Sequence, residues 1–380
     1  MKLLLLATTY EYGGVSSVIK NISDNLDRGK FDITLMVEKM GVRHYPLKDD
    51  IKVVTVENSP ARGLMRKFIN IFGHLSDIRR AVIKEKPDIV LGFGFSINCM
   101  YVLPFVRSSK VKSRLILAEF TEELFVKHGS KTFKGHVLKY FYKLIMFLFY
   151  RYADAIIAVS GSLAKHIERS FLIDKKKIHV IHVPVNIEEI RARSQEKAFN
   201  GTNGLACVGT VSRLSAEKGI DDLIKAFANL TKDMDASLIV VGDGEERDNL
   251  KSLAKGLGIE DKVNFLGWIE NPYSYIKKMD VFVLSSLWEG FPNVVIESMA
   301  CGVPVVATNS VGGVSEAIRH GIDGLLTAPK NIKALSDSIY SLLKDKELRD
   351  RLIHEANKKI ERFDASNITR EYEAVLLNLK

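Results

Sequence analysis

The sequence predicts an α/β protein built from two doubly wound domains, each with a parallel sheet. Apolar runs rich in valine, isoleucine and leucine recur about every 20–30 residues, with helical patterns between them. The runs do not alternate with polar residues, which is typical of parallel strands covered by helices on both faces. A length of 380 residues is long for one core and suits two domains.

The individual strands follow from these runs. In the first half, strands are predicted at residues 2–8, 33–37, 53–56, 89–92, 114–118, 155–159 and 179–183. In the second half, they are predicted at residues 205–210, 237–241, 263–266, 281–284, 303–307 and 324–327. Helical periodicity marks residues 334–343, 346–362 and 366–379.

A polar stretch without periodicity separates the two halves. It predicts a first domain at residues 1–185, a linker at 186–203 and a second domain at 204–365, followed by a final helix at 366–380. Ligands of such folds bind at the carboxyl ends of the strands.

The composition is that of a soluble globular protein, with 46% hydrophobic and 27% charged residues. The leucine run at residues 3–7 is too short for an export signal and is interpreted as a first buried strand. No run approaches the roughly 20 apolar residues of a membrane-spanning helix. Three distant cysteines offer neither a disulfide framework nor zinc spacing, so a reducing cytoplasm is expected.

Positive charge is concentrated in the first half. Residues 1–185 hold 30 Lys and Arg against 17 Asp and Glu, a net charge of +13, whereas the remainder has 25 against 29, a net charge of −4. This asymmetry predicts an anionic partner for the first half. Segments 61–81 and 131–152 mix basic with apolar residues, which favours an anionic membrane surface over a core helix with a basic solvent face. No nucleic-acid-binding signature is present.

The most informative segment spans residues 286–308 and predicts a loop, a helix and a buried strand. Glu289 lies on the loop, Pro292 near the first helical position, and Glu297 inside the helix. The first-turn amides would lack partners and form an anion site suited to a phosphate; they belong to Asn293, Val294 and Val295. Acids on both sides of that anion fit a nucleoside diphosphate sugar. The simpler alternative is an ordinary αβ unit with acids that favour a helix N-terminus.

This pattern resembles the Glu-x7-Glu signature of the GT-B retaining glycosyltransferases, specifically family 4. The resemblance rests on Glu289, Gly290, Phe291, Glu297 and the turn at 301–304. It implies two Rossmann-like domains facing a cleft, with the helix at 366–380 crossing back to the first domain. It also implies that Glu297 contacts the nucleotide ribose, that Glu289 and the backbone of Gly290 and Phe291 lie by the transferred sugar, and that no metal or other cofactor is needed.

Two cations beside a helix start support the same interpretation. Arg213 and Lys218 lie in the segment 209–220, where the helix dipole disfavours positive charge unless an anion binds. The resemblance implies that they neutralise a leaving diphosphate, with Glu217 orienting Lys218. Solvated surface charge is the alternative.

Other expected contacts are less specific. Gly13 and Gly14 follow the first strand, and the resemblance implies that they face the diphosphate and acceptor. Ser16 and Ser17 are available as helix caps. The resemblance adds Gly242 and the Trp268–Ile269 backbone as contacts of the nucleotide and its base. Asp243 is expected to be a cap, and Asp233 and Asp235 are interpreted as loop polarity, not a metal motif.

The first domain departs from the family. Many members have a histidine after the strand at 114–118, where this chain has Glu119, the candidate contact for sugar or acceptor, with a helix-cap carboxylate as its alternative. Glu122 and His128 follow.

The function predicted is a retaining transferase that moves a hexose or N-acetylhexosamine from a nucleoside-diphosphate sugar, with UDP as the expected nucleotide, to a glycolipid or polyprenyl-diphosphate-linked acceptor at the inner face of the plasma membrane. The alternatives are a GT-B nucleotide-sugar epimerase, a basic nucleic-acid- or membrane-binding protein without catalysis, and a scaffold with a decayed site.

Overall fold

The computed structural model describes residues 1–42, 44–56, 79–94, 112–120, 146–147, 150–196 and 204–378. It divides the chain into two compact units. Unit 1 comprises Met1–Pro184 and Ala365–Lys380, and unit 2 comprises Val185–Asp364. No helix in the described ranges combines the length and the apolar character needed to cross a membrane.

Unit 1 is organised around a parallel sheet of seven strands in the order β3-β2-β1-β4-β5-β6-β7. These strands are β1 (Lys2–Tyr10), β2 (Asp32–Met40), β3 (Lys52–Thr55), β4 (Ile89–Phe93), β5 (Arg114–Glu119), β6 (Ala155–Ala158) and β7 (Ile178–Val180). The four leucines of β1 are fully buried, as expected of a central strand covered on both faces. The strand order reverses between β1 and β4, so the carboxyl end of β1 lies at a topological switch point.

Unit 1 includes the helices α1 (Gly14–Asn25), α2 (Gly161–Phe171) and α11 (Ala365–Asn378), and residues 79–85 are also helical. Helix α11 packs on α1. Glu373 of α11 fixes this contact, because its carboxylate accepts the Asp27 amide at 2.8 Å and pairs with Lys30 at 3.3 Å. The expected return of the final helix to the first domain is confirmed.

Unit 2 contains a parallel six-stranded sheet in the order β10-β9-β8-β11-β13-β15. Its strands are β8 (Ala206–Val211), β9 (Ala236–Val241), β10 (Val263–Gly267), β11 (Val281–Leu284), β13 (Val305–Thr308) and β15 (Leu325–Thr327), and the two-residue strands β12 (Trp288–Glu289) and β14 (Val311–Gly312) pair separately. The order reverses between β8 and β11. The loops that follow these two strands therefore meet at the switch point, where ligands of open α/β sheets bind.

The helices of unit 2 bury apolar residues against this sheet or against neighbouring helices. They are α3 (Ile187–Arg193), α4 (Ile220–Leu230), α5 (Arg247–Gly256), α6 (Tyr273–Ile276), α7 (Asn293–Ala300), α8 (Val314–Ala317), α9 (Ile332–Lys344) and α10 (Lys346–Ile360). In α4, for example, the buried residues follow the i, i+3, i+4, i+7 pattern of an amphipathic helix; they are Ile220, Leu223, Ile224 and Phe227.

The stretch predicted as a linker is partly regular. Residues Ile187–Arg193 form helix α3, capped by the Asn186 side chain, which accepts the Glu189 amide at 3.0 Å. Arg193 lies over the Tyr273 ring of the same unit. Helix α3 is thus part of unit 2, and the sequence missed it because seven residues are too few to show a clear helical period.

Candidate functional site

The loops after β8 and β11 lock together at the switch point of unit 2. Ser285 donates a hydrogen bond to the Lys218 carbonyl at 2.9 Å, and the Leu287 amide donates to the Glu217 carbonyl at 2.8 Å. Gly219 has a φ of 58°, and a Cβ there would lie 2.3 Å from the Ser285 carbonyl oxygen. Only glycine permits this close approach, so the backbone positions of both loops are fixed relative to each other.

This arrangement brings Lys218 and Glu289 into direct contact. The Lys218 Nζ lies 2.7 Å from Glu289 Oε1, and Ser286 donates its hydroxyl to the same oxygen at 2.7 Å. The side chains of Lys218 and Glu289 are 21% and 12% exposed. An ion pair this well shielded is stronger than a surface pair, and it holds both groups in defined positions.

Arg213 has a different carboxylate partner. Its Nη2 lies 2.7 Å from Glu217 Oε1, and the Ser215 hydroxyl donates to that oxygen at 2.6 Å. Burial alone raises the pKa of Glu217, but hydrogen bonds from Ser215, from its own backbone amide and from Arg213 outweigh it and lower the pKa to about 2. Glu217 is therefore ionised and orients Arg213. The expectation that it orients Lys218 was wrong, because Lys218 bonds to Glu289.

The backbone of Glu289 is held from a second side. Strand β12 pairs with β14, which places Glu289 opposite Gly312. Gly312 has a φ of 115°, and a Cβ there would lie 1.5 Å from the Glu289 carbonyl oxygen. The Gly313 amide donates to that same oxygen at 3.3 Å. Any larger residue at position 312 would displace the strand that carries Glu289.

Helix α7 begins just after this strand. Pro292 is the N-cap residue, immediately before the first helical position, in agreement with its predicted place near that position. Two of the expected free amides are engaged in turns, since Asn293 donates to the Phe291 carbonyl at 3.1 Å and Val295 to the Pro292 carbonyl at 3.0 Å. Among the described residues, the Val294 amide has no hydrogen-bond acceptor. The predicted anion site of three free amides therefore has one available donor, the Val294 amide. The helix dipole adds partial positive charge at the same place.

Glu297 lies within α7, eight residues after Glu289. The residue is half-buried, and burial raises the pKa of its carboxyl group to about 7. No side chain in the described ranges forms a hydrogen bond or ion pair with it. Burial of a carboxyl group is unfavourable unless hydrogen-bond donors contact it. A ligand that supplies such donors would bind favourably here, so Glu297 is a candidate ligand contact.

The corner after β9 packs against the loop that carries Arg213. A Cβ on Gly242, whose φ is 129°, would lie 1.8 Å from the Ser212 carbonyl oxygen. Asp243 accepts the Gly244 amide at 2.9 Å and pairs with Arg247 at 2.8 Å. It does not cap α5, whose N-cap residue is Glu246, so the expected cap was wrong. Gly242 donates its amide to the Gly267 carbonyl at 2.8 Å, immediately before Trp268 and Ile269. Trp268 is 40% exposed and Ile269 is half-buried.

The candidate residues of unit 1 lie at the carboxyl ends of its strands. Gly13 caps α1 and Gly14 is its first residue. Neither Ser16 nor Ser17 caps the helix; Ser16 instead accepts the Glu11 amide at 3.2 Å. Glu119 ends β5 and is 4% exposed. Glu122, His128 and nearly all of the basic segments 61–81 and 131–152 lie outside the described residues.

Three supporting residues were not found from the sequence. Ser215 and Ser286 each donate to an acid of the site, and Gly312 sets the position of Glu289. Ser286 had a weak signal, a hydroxyl three residues before the acid on the same loop. Gly312 had none, because its partner strand is far away in sequence.

Comparisons with known proteins agree with this geometry. A family model described as "Glycosyl transferases group 1" matches residues 192–359, and one described as "Glycosyltransferase Family 4" matches residues 12–189. Together they cover both units. Structures with less than 25% identity support the fold alone: Anabaena HepE in complex with UDP (TM-score 0.78, 22% identity, 99% of each chain) and the sucrose-phosphate synthase of Thermosynechococcus elongatus (TM-score 0.81, 17% identity, 100% of this chain and 99% of that one).

Curated relatives are transferases. The Campylobacter jejuni N-acetylgalactosamine-N,N'-diacetylbacillosaminyl-diphospho-undecaprenol 4-alpha-N-acetylgalactosaminyltransferase is 31% identical over 271 residues, 71% of this chain and 72% of its own. The Staphylococcus aureus capsular polysaccharide biosynthesis glycosyltransferase CapM is 31% identical over 325 residues, 82% of this chain and 83% of its own. With these matches across two Rossmann-like units of GT-B type, the chain belongs to the group 1, family 4 glycosyltransferases.

Proposed function

We propose that this glycosyltransferase moves a hexose or N-acetylhexosamine from a UDP-sugar, with retention of configuration, to a hydroxyl of a polyprenyl-diphosphate-linked or other glycolipid acceptor in cell-surface polysaccharide synthesis. The observation that carries the proposal is the contact of Lys218 with Glu289 at the switch point, followed eight residues later by the unpartnered carboxyl group of Glu297. This order matches the order of sugar, diphosphate and ribose in the donor.

The diphosphate would be met by positive groups of this chain. Arg213, Lys218 and the Val294 amide at the start of α7 lie on the loops that meet at the switch point. Because these hydrogen-bond donors already have defined positions, they stabilise the negative charge that develops on the leaving diphosphate, and the protein does not have to rearrange during the reaction. These cations supply the neutralisation that a metal ion supplies elsewhere, so we propose that the reaction needs no metal or other cofactor.

The two acids would bind hydroxyl groups on either side of the diphosphate. Glu297 accepts hydrogen bonds from the ribose hydroxyls, which supply the donors that its carboxyl group lacks within the protein. Glu289, with the backbone of Gly290 and Phe291, contacts the sugar. Gly242 and Ile269 lie at the corner proposed to contact the nucleotide and its base.

The transfer step joins the acceptor oxygen to the anomeric carbon while the bond from that carbon to the diphosphate oxygen breaks. The acceptor hydroxyl proton passes to the leaving diphosphate, so the atoms and charges balance without a covalent enzyme intermediate. Attack on the face that the diphosphate leaves gives retention.

The acceptor proposal is supported by the relatives. Two Campylobacter jejuni enzymes are named for undecaprenol-diphosphate-linked acceptors, and the second is 25% identical over 383 residues, which is 100% of this chain and 99% of its own. Gly13, Gly14 and Glu119, at the carboxyl ends of strands in unit 1, are the proposed acceptor-side contacts. Basic unit 1 would associate peripherally with an anionic membrane at the cytoplasmic face, without binding nucleic acid.

The test is transfer from a panel of UDP- and GDP-sugars to a synthetic polyprenyl-diphosphate sugar, with and without EDTA, and with the product's anomeric configuration assigned by NMR. We expect UDP-dependent, EDTA-resistant transfer with retention. Lys218→Met should weaken UDP binding about tenfold or more, because it removes a charged hydrogen bond. Its matched control is Lys225→Met, which alters a 40% exposed lysine of α4. Inversion, a metal requirement or equal effects of both variants would each contradict part of the proposal.

A further inference from the structure

A buried charge cluster lies in unit 2 outside the residues assigned to the donor. Its centre is Lys359 of α10, whose side chain is 5% exposed, beside Asp323, whose side chain is fully buried. Helix α10 also packs against α7, which carries Glu297. A lysine is almost never fully buried unless it is paired, so this position calls for an explanation.

Lys359 ties α10 to the end of α8 and the turn that follows. Its Nζ lies 2.6 Å from the Ala317 carbonyl oxygen and 3.4 Å from Asp323 Oδ1. Asp323 in turn accepts the backbone amide and the Nε of Arg319, each at 2.6 Å. The residues from 317 to 323 are therefore held by one ammonium and one carboxylate.

The other end of α8 holds Glu289. Gly313 caps α8, and its amide donates to the Glu289 carbonyl at 3.3 Å, next to the pairing of Gly312 with Glu289. Val314 and Ala317 are fully buried, so this one-turn helix has little freedom to move independently of its ends. A displacement of Ala317 would therefore shift Gly313, four residues earlier, and with it the backbone of Glu289.

Stability alone does not explain the charge. Burying an ion pair costs so much hydration that an apolar side chain of similar volume often stabilises a fold as well or better. An ammonium group differs in that it fixes the direction of the groups it bonds, here a carbonyl and a carboxylate on one segment.

We propose that Lys359 is a positioning residue of the transfer reaction: it fixes α8 through Ala317 and Asp323, and α8 with β14 fixes Glu289 at the transferred sugar. The inference rests on the proposed function for the role of Glu289. It assigns Lys359 no contact with substrate.

The charge of Lys359 gives the proposal a pH signature. Burial lowers the pKa of Lys359 to about 8; the carboxylate of Asp323 opposes this effect, and the nearby charges of Arg362 and Arg319 add to it. The ammonium form dominates below that pH. Above it, the neutral amine loses its attraction to Asp323, so the hold on α8 weakens as the pH rises from 7 to 9.

The test is hydrogen exchange of the intact protein followed by mass spectrometry, which needs no substrate. In Lys359→Met we expect exchange about tenfold faster in residues 309–318 and also in 286–292, because local opening costs less. Lys358→Met, which alters the neighbouring 60% exposed lysine, should leave both segments unchanged. Lys359→Arg should restore protection in 286–292. In the UDP-sugar assay, Lys359→Met should lower kcat more than it weakens UDP binding.

Several outcomes would overturn the proposal. One is faster exchange confined to residues 317–324, with 286–292 unchanged. Another is an effect of Lys359→Met that adds fully to that of Glu289→Gln, since residues acting through one another are not additive. If Lys359→Met does not fold, the wild-type protein supplies the test. The protection of its residues 286–292 against hydrogen exchange, corrected for intrinsic exchange rates, must fall between pH 7 and 9. If wild type transfers no sugar from any donor, the proposed function fails, while the exchange data still judge the link between Lys359 and Glu289.

Discussion

Glu297→Gln should make the protein without nucleotide more stable at neutral and alkaline pH while it weakens nucleotide binding. Burial raises the pKa of Glu297 from its ordinary 4.5 to about 7. Each unit of difference between the folded and unfolded pKa is worth about 1.4 kcal/mol, so the ionised carboxylate costs the fold up to about 3 kcal/mol. Glutamine keeps the shape of the side chain and carries no charge.

The sign of the pH dependence follows from linkage. The folded state binds the proton of Glu297 more tightly than the unfolded state, so wild type has its full stability below pH 4.5 and loses it as the pH rises to about 7. The free energy of unfolding of Glu297→Gln minus that of wild type should therefore grow by about 2 kcal/mol between pH 5 and pH 8. For a unit of this size, that corresponds to a shift of about 4–8 °C in Tm.

The assay is urea and thermal unfolding of both proteins at pH 5, 6, 7 and 8, with Glu347→Gln as the control. Glu347 is an exposed residue of α10, and its variant should differ from wild type by less than about 0.5 kcal/mol at every pH. A difference for Glu297→Gln that stays constant across this range would refute the claim that its carboxyl group is buried without compensation.

Nucleotide binding supplies an independent measurement on the same residue. If ribose hydroxyls donate to the carboxylate, they favour its charged form, so UDP binding should release protons between pH 6 and 7 and tighten as the pH rises. Calorimetry in buffers of different ionisation enthalpy measures this release. Proton release that persists unchanged in Glu297→Gln would show that another group is responsible.

Three further predictions concern other parts of unit 2. Gly312→Ala should lose about 1–3 kcal/mol of stability in urea unfolding because its φ and its close carbonyl contact exclude a Cβ, whereas Gly256→Ala, which meets open space in α5, should be neutral or slightly stabilising; equal effects would contradict the packing argument. Ser286→Ala should lower kcat about tenfold with UDP affinity nearly unchanged, since it removes one hydrogen bond to the acid at the sugar; a loss of UDP affinity instead would place Ser286 elsewhere in the mechanism. Cys207 and Cys301, whose thiol pKa values burial raises to about 12, should be alkylated at pH 8 only after unfolding, as peptide mapping with iodoacetamide would report; rapid labelling of the native protein would contradict their burial.

The sheets could be predicted closely from the sequence. Every predicted strand is present, with bounds within a few residues, because a parallel strand covered on both faces must be apolar along its whole length. Strands β12 and β14 were missed, since two residues give no period and their pairing depends on the tertiary fold.

The sequence indicated the residues that meet at this site more closely than it indicated the bonds between them. Lys218 and Glu217 are adjacent in sequence, yet they bond to different partners, because the turn ending at Gly219 points them in different directions. Two amides predicted to be free at the start of α7 are instead used in turns, because Asn293 donates to the Phe291 carbonyl and Val295 to the Pro292 carbonyl. These bonding partners are set by loops that meet only in the folded chain, so the local sequence pattern does not predict them.

The charged groups of the candidate site in unit 2 pair with one another, except for Glu297. Arg213 is held by Glu217, and Lys218 is held by Glu289 at 2.7 Å, within the same unit. Under the proposed function, this second pair joins the acid at the sugar to the cation at the diphosphate, and the bond broken in the reaction lies between those two ligand groups. A donor can therefore bind without separating the pair: its phosphate adds to the ammonium while its sugar hydroxyls add to the carboxylate. The ion pair then acts as a rigid spacer across the scissile bond, which explains why Ser286, Gly219 and Gly312 fix its two ends from the side of the protein.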